Sequence, residues 1–186
     1  MTFNKILISA TIFSLIFFIS SCKDDVNPIN EEEVINEVTL TMKDETNNTY
    51  IFSYKDSDGS GPADAVVTAD NLPANKLLTG AITLTNTLAQ PADNITNEVL
   101  EEAAEHQFFY LFSGINAPKL TYTDSDVNGK PIGIQFKLET KDAYSGKMKV
   151  VLRHQPSKDA GGVSGGDITN AGGATDLEIE FNTVVE

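Results

Sequence analysis

The feature that most constrains the fold of this chain is a period-two alternation of apolar and polar residues. Val38, Leu40 and Met42 alternate with Thr39 and Thr41, which is the pattern of a strand with one buried and one exposed face. The same alternation returns at residues 82–85, 132–139, 147–152 and 177–181. We predict a half-buried strand at each of these places.

Four more strands are predicted from short runs rich in β-branched and aromatic residues. They cover residues 49–54, 66–69, 107–112 and 119–123. Eight or nine short strands with Gly, Asn and Asp between them are typical of an all-β fold. We therefore predict an antiparallel β-sandwich of the immunoglobulin-like kind.

One segment, NITNEVLEEAAEH, has helical spacing instead of the period-two pattern. Thr96 is placed to cap a helix, and the residues that then share one helical face are Val99, Leu100, Ala103 and Ala104. We predict one short crossover helix that lies over an end of the sandwich.

The first residues have the features of a secretion signal. Lys5 precedes a mainly apolar run at residues 6–19, and two serines then lead to Cys22, the one cysteine in 186 residues. The apolar run is short for a bilayer span. We predict that residues 1–21 are a signal peptide. An ordinary secreted protein with an incidental cysteine and a short N-terminal membrane anchor are the alternatives.

The residues around the predicted cleavage point suggest a lipid anchor. Ile19-Ser20-Ser21-Cys22 resembles the lipobox of bacterial lipoproteins, which implies a diacylglycerol on Cys22 and an acyl chain, such as palmitate, on the new N-terminus. At about 0.8 kcal/mol per buried methylene, several chains anchor a protein permanently to an outer membrane.

The three residues after the cysteine indicate the side of that membrane. Lys23, Asp24 and Asp25 resemble the export signal with which Bacteroidota-type bacteria send lipoproteins to the cell exterior. The alternative is a plain solvated tether. Residues 22–33 are acidic enough to serve as such a tether.

The charge of the predicted mature protein excludes one class of partner. Residues 1–21 contain a single charged residue, so residues 22–186 carry 12 Lys and Arg against 27 Asp and Glu, a formal charge of −15. Such a surface repels phosphate backbones, and nucleic acid is not expected as a partner. Residues 34–186 have the size of one domain.

Two acidic loops, DSDGSG at 56–61 and DSDVNG at 124–129, resemble calcium loops in the spacing of their oxygen side chains and their sixth-position glycine. Both lack a Glu at position twelve, where the chain has Val67 and Gln135. Asp, Asn and Gly are also the residues of tight hairpin turns, which is the alternative interpretation. The candidate calcium ligands are Asp56, Asp58, Ser60, Asp64, Asp124, Asp126 and Asn128.

The two histidines of the chain form a second candidate site. His106 has the strand parity of Phe108, and His154 has that of Leu152, so both are predicted at strand ends and facing inward or along a groove. Neutral imidazole binds zinc or copper, and Glu105 could complete a metal site. The alternative is that each histidine satisfies a buried hydrogen bond.

Elements of known catalytic machinery are not recognised in the sequence. The glycine-rich stretch at residues 159–176 has no Walker spacing, and there is no Gly-x-Ser-x-Gly element. The cysteine is consumed by the predicted lipid. We therefore predict a protein that is not an enzyme, with a long loop that is flexible or contacts a ligand.

Five stretches, INEEEVINEVTLTM, DSDGSGPADA, EEAAEHQFFY, VLRHQP and GGDITNAGG, are similar to small, mostly uncharacterised flavobacterial surface lipoproteins. Members are sometimes labelled as a type 1 periplasmic-binding fold, a two-lobed α/β structure that needs more crossover helices than this chain offers.

The resemblance also implies a function. Such lipoproteins accompany TonB-dependent transporters, so it implies capture of a ligand, such as a metal ion or metal complex, beside a transporter. The alternative function is a structural or adhesive surface module stabilised by calcium in the acidic loops.

Overall fold

The computed structural model describes residues 34–59 and 61–186, which contain nine strands and one α-helix. All nine predicted strands are present, with ends that differ from the predicted ones by a few residues. They are β1 (Glu37–Lys43), β2 (Thr49–Lys55), β3 (Val66–Ala69), β4 (Leu77–Thr85), β5 (His106–Ser113), β6 (Lys119–Tyr122), β7 (Gln135–Glu139), β8 (Tyr144–His154) and β9 (Ala174–Val185).

The strands form two antiparallel sheets. The larger has the order β3-β2-β1-β4-β7-β6, and the smaller has the order β5-β8-β9. The all-β sandwich expected from the alternation is confirmed. Its division into six and three strands is more uneven than the four and three of a constant-type immunoglobulin domain.

The core lies between the two sheets and is built from the alternating apolar residues. Val38, Leu40 and Met42 of β1 are fully buried, as are Phe52 on β2 and Phe181 on β9. The rings of Phe52 and Phe181 meet across the interface, with centroids 5.5 Å apart. This shared apolar face stabilises the packing of the six-stranded sheet on the three-stranded one.

The two sheets are also joined by backbone hydrogen bonds. At one edge, the amide of Phe108 donates to the carbonyl of Ile132, and the amide of Ile82 donates to that of Ile134. Residues 132–134 are thus a buried link between β4 and β5, although they were predicted as part of a strand. At the other edge, Leu72 forms a parallel bridge with Val185.

The α-helix, α1 (Ile95–Glu101), connects the larger sheet to the smaller one as predicted, but its capping residue is different. Asn94 is the N-cap and accepts a hydrogen bond from the amide of Asn97. The predicted cap, Thr96, lies inside the helix, where its hydroxyl bonds to both backbone groups of Leu84. The predicted apolar face is also wrong at Leu100, which is 46% exposed, and at Ala103 and Ala104, which lie beyond the end of the helix, with Ala104 exposed.

The glycine-rich stretch, which was expected to be a flexible or ligand-contacting loop, packs as a cover on the small sheet, and contact with a ligand stays a prediction. It contains two 3₁₀ turns, Val163–Gly165 and Ile168–Asn170. Val163 and Ala171 pack on Phe109 and Val151, on the face of the small sheet that points away from the main core. The side-chain amide Nε2 of Gln107 holds the cover through a 2.7 Å hydrogen bond to the carbonyl of Val163.

One end of the sandwich gathers both the start of β1 and the start of β5. Glu37 pairs with Thr85 at the end of β4, and α1 then leads from β4 to His106 at the start of β5. The start of β1 is therefore at the same end of the domain as the histidines. Among residues 34–59 and 61–186, the one α-helix is too short to span a bilayer.

Candidate metal centre

The two histidines meet at the end of the three-stranded sheet. His106 opens β5, His154 closes β8, and the antiparallel register places them directly opposite each other. His106 Nε2 lies 3.0 Å from His154 Nδ1, and the rings are arranged edge to face. The predicted positions at strand ends and the inward orientation of His106 are confirmed, since its side chain is 1% exposed.

The hydrogen bonds of the pair define which nitrogens carry protons. His106 Nδ1 lies 3.2 Å from the carbonyl oxygen of Glu102, which can only accept, so Nδ1 carries the proton. In neutral His106, Nε2 therefore has a free electron pair directed at His154. Two nitrogens 3.0 Å apart need a proton or a cation between them, because two facing electron pairs repel.

Three carboxylate-bearing residues surround the pair. Asp176 Oδ2 lies 3.6 Å from His106 Nε2 and 4.0 Å from His154 Nδ1. Glu105 Oε2 lies 3.7 Å from the other nitrogen of His154, Nε2. Glu102 also contributes a ligand atom within 4.8 Å of ligand atoms of both histidines. The arrangement therefore has the donor types of a borderline divalent cation site.

Burial keeps His106 in the form that can act as a ligand. Desolvation lowers the pKa of His106, an effect that the carbonyl of Glu102 partly opposes and the neighbouring His154 adds to. A lowered pKa keeps the imidazole neutral at physiological pH. Metal binding to His106 would then displace no proton from an imidazolium.

Glu105 is fixed in place by Gln155, the residue after β8. The side-chain amide of Gln155 donates to Glu105 Oε2 at 2.8 Å, and its backbone amide donates to the carbonyl of Glu105. Gln155 has a φ of 51°, a left-handed conformation that is uncommon for a residue other than glycine. The backbone strain is located directly beside the histidine pair.

In the second acidic loop, the carboxylates are used by the protein itself. Asp124 accepts hydrogen bonds from the backbone amides of Gly133 and Gln135, both at 2.8 Å. Asp126 Oδ1 accepts hydrogen bonds from the backbone amides of Asn128 and Lys130. Its Oδ2 accepts a hydrogen bond from the ammonium of Lys158 at 2.9 Å. These contacts are those of a tight turn closed by an ion pair, the alternative interpretation of this loop.

The first acidic loop connects β2 to β3, which are antiparallel neighbours. Asp58 accepts the amide of Ala63 at 3.1 Å, and Asp56 accepts the amide of Asp58 at 3.3 Å. Ser60 lies outside the described residues, and Asp64 is exposed. Calcium binding by this loop stays a prediction.

The predicted lipid attachment and export residues, Cys22, Lys23, Asp24 and Asp25, also lie outside the described residues. The signal peptide at residues 1–21 and the tether at residues 22–33 stay predictions for the same reason.

Two residues of the centre, Asp176 and Glu102, are not among the candidates predicted from the sequence. Asp176 has the parity of the outward-facing Glu178 and Glu180, yet its side chain is only 3% exposed. The cause is an irregularity in the β8–β9 pairing: Leu152 pairs with Leu177, but Arg153 pairs with Thr175. Asp176 is the extra residue of this bulge, and a bulge redirects side chains.

Comparisons of the chain with protein-family models, with curated proteins and with solved structures find no match. The function is therefore inferred from the residues and their geometry.

Proposed function

We propose that residues 34–186 are the ligand-binding domain of a surface-anchored lipoprotein that is not an enzyme, and that the ligand is a divalent transition-metal cation, alone or in a complex. The observation that carries this proposal is the 3.0 Å approach of His106 Nε2 and His154 Nδ1. The pair uses both histidines of the chain. Zinc and copper are among the cations that bind neutral imidazole well.

The surroundings of the pair support a cation in preference to an anion or a neutral ligand. Asp176, Glu102 and Glu105 add carboxylate oxygens around the imidazoles. The formal charge of −15 for residues 22–186 raises the local concentration of cations around the whole domain. The same potential disfavours phosphorylated ligands and nucleic acid.

The anchor and the partner belong to the same proposal. Lipidation of Cys22 would hold the domain at the outer membrane, and Lys23, Asp24 and Asp25 would direct it to the exterior. The resemblance to lipoproteins that accompany TonB-dependent transporters makes such a transporter the expected recipient of the captured cation.

The cation is tested by thermal melting of the mature domain with zinc, copper or calcium. A cation that binds only the folded state at about one hundred times its Kd adds about 2.7 kcal/mol of stability. We expect this gain with zinc or copper at pH 7.5, its loss in His154→Ala, and its weakening near pH 5.5, where imidazole becomes protonated.

Two outcomes would contradict the proposed cation. A gain from calcium alone, retained in His154→Ala, would favour the structural or adhesive module with calcium in the acidic loops. If no cation raises the melting midpoint, the histidines are a structural hydrogen-bonded pair.

The anchor is tested separately in cells. Cys22→Ala should abolish lipid labelling and processing. Replacement of Lys23, Asp24 and Asp25 by Ala should protect the domain from protease added to intact cells, whereas the native protein should be cleaved. Unchanged labelling in Cys22→Ala excludes the lipid, and a native protein that resists protease until the outer membrane is opened excludes surface exposure.

A further inference from the structure

We infer that Asp176 is the third ligand of the centre and that Glu105, on the far side of His154, orients this histidine without touching the cation. The inference rests on the proposed function and makes it more specific. The centre is then a two-histidine, one-carboxylate site whose ligands come from the three strands of the small sheet.

The bulge in β9 is the first reason to assign Asp176 this role. Regular pairing would direct residue 176 to the outer face, like Glu178, which forms an exposed ion pair with Lys149. The bulge instead places the carboxylate beside both histidines, with 3% of the side chain exposed. Charge and hydrogen bonding offset the cost of burying a carboxylate, and a cation between the histidines would add to that compensation.

The distances among the three ligand atoms are the second reason. His106 Nε2, His154 Nδ1 and Asp176 Oδ2 are separated by 3.0, 3.6 and 4.0 Å. With metal–ligand distances of about 2.0–2.2 Å, tetrahedral geometry requires ligand atoms about 3.3–3.6 Å apart. The observed separations lie on both sides of that value. Asp176 needs to move by roughly half an ångström toward His154, within the freedom of one side-chain rotation.

The outer partners of the two imidazoles are the third reason. A metal-bound histidine ordinarily donates its other N–H to a carbonyl or a carboxylate, which fixes the ring. Here His106 Nδ1 faces the carbonyl of Glu102 at 3.2 Å. His154 Nε2 faces Glu105 at 3.7 Å, just beyond hydrogen-bond distance, and Gln155 holds Glu105 in this position.

The position of Glu105 excludes it as a ligand of the same cation. One imidazole binds one cation through one nitrogen, and the nitrogen of His154 that faces His106 is Nδ1, whereas Glu105 faces Nε2. Glu105 can therefore act on the cation only through the ring of His154. This replaces the set His106, His154 and Glu105 predicted from the sequence with His106, His154 and Asp176.

The ligand set also indicates which cations the site prefers. Two neutral imidazoles and one carboxylate suit borderline divalent ions such as zinc, cobalt(II) and iron(II). Copper(I) prefers thiolate or thioether sulfur, and calcium prefers six to eight oxygens. We therefore expect zinc and cobalt(II) to bind more tightly than copper(I) or calcium.

The test is titration of the mature protein with cobalt(II), whose visible absorption reports the geometry of its ligands, followed by displacement with zinc. Asp176→Asn preserves the shape of the side chain but weakens ligation, so we expect more than about a hundredfold loss of affinity and a changed cobalt spectrum. Glu105→Gln should weaken binding by about tenfold to a hundredfold and leave the spectrum unchanged, as expected of an outer partner.

Two matched controls make the result specific. Glu178→Gln removes a carboxylate of the same strand that points outward, and it should bind like the wild type. Glu102→Gln tests the exposed alternative ligand. The inference is overturned if Asp176→Asn binds cobalt with wild-type affinity and spectrum, or if Glu102→Gln or Glu105→Gln alters the spectrum and Asp176→Asn does not. A wild-type protein that binds neither ion refutes the proposed function itself.

Discussion

The buried ion pair between Lys158 and Asp126 provides the sharpest test of what stabilises the fold. The Lys158 ammonium donates to Asp126 Oδ2 at 2.9 Å and to the carbonyl of Ala103 at 2.7 Å. The two side chains are 6% and 1% exposed. The pair thus connects the turn at residues 124–130, the end of the helical segment and the glycine-rich cover.

We expect Lys158→Met to lower the free energy of unfolding by about 3 kcal/mol. Removal of one partner from a buried pair ordinarily costs about 3–5 kcal/mol, because the other charge is left buried without compensation. The lower value is expected here, because the amides of Asn128 and Lys130 still stabilise Asp126. With a urea m-value of about 1–3 kcal/mol/M, the urea midpoint should fall by about 1–3 M.

The double variant Lys158→Met, Asp126→Asn separates the buried charge from lost packing. The Asp126→Asn change keeps an acceptor for the two backbone amides but removes the charge, so the double variant should recover at least about 1 kcal/mol of the loss. If the single variant loses less than about 1 kcal/mol, or if the double variant is no more stable than the single one, the argument is wrong.

The pH dependence of the same pair has a defined sign. Burial raises the pKa of Asp126, but the amide of Lys130 and the ammonium of Lys158 outweigh it, and the net pKa is lowered. A lowered folded-state pKa gives stability that is complete above the unfolded value of about 4 and is lost as the pH falls through the folded value. The difference between wild type and Lys158→Met should therefore shrink in acid.

The pKa of Lys158 gives an apparently opposite indication, since desolvation lowers it despite the contact with Asp126. The two pKa shifts have different causes. The pKa of Lys158 is lowered because burial penalises its own charge. The pKa of Asp126 is lowered because hydrogen-bond donors surround its carboxylate. Asp126 determines the acid limb, because its hydrogen-bond donors are close and directed at both carboxylate oxygens.

Two further predictions concern the cover and the metal-free histidine. Phe109→Ala should lower the free energy of unfolding by about 3–5 kcal/mol, because Phe109 is fully buried under the glycine-rich cover. Residues 159–176 should also become sensitive to protease. If they stay as resistant as in the wild type, the packing role of Phe109 is contradicted. Burial lowers the pKa of His106 in the folded state. When metal is removed by a chelator and the pH falls below about 6.5, the histidine is therefore protonated in the unfolded state before it is protonated in the folded state. The free energy of unfolding should then decrease. His106→Asn should flatten that decrease, and an equally steep profile in this variant would show that another group causes it.

The strands could be predicted because their cause is local. In β1 the sequence of Val38 to Met42 alternates without interruption, and burial of one face is enough to determine the structure. The meeting of His106 and His154 could be predicted only in part: their parity indicated the inward face, but their direct pairing depends on the register of β5 and β8, which no local pattern specifies.

The features that sequence reasoning missed depend on tertiary contacts. Both Asn94 and Thr96 can cap a helix, and the choice was decided when the Thr96 hydroxyl bonded to Leu84 on another element. Asp176 was not among the predicted candidates, because regular strand parity assigns residue 176 to the outer face and only the extra residue in β9 redirects its side chain. The order of the glycine-rich cover depends on Phe109 and Val151, which lie far away along the chain.

The shared end of the sandwich, where β1 begins and the histidines meet, has a consequence for the rate of transfer. If Cys22 is lipidated, residues 22–33 form a tether that limits the distance between the membrane surface and the start of the domain to at most about 40 Å. A recipient in the same membrane patch would then encounter the cation centre at an effective concentration on the order of millimolar, however dilute the cation is outside the cell. Transfer of the cation to the recipient would become nearly unimolecular. A longer tether should slow this transfer without changing the affinity of the centre for the cation.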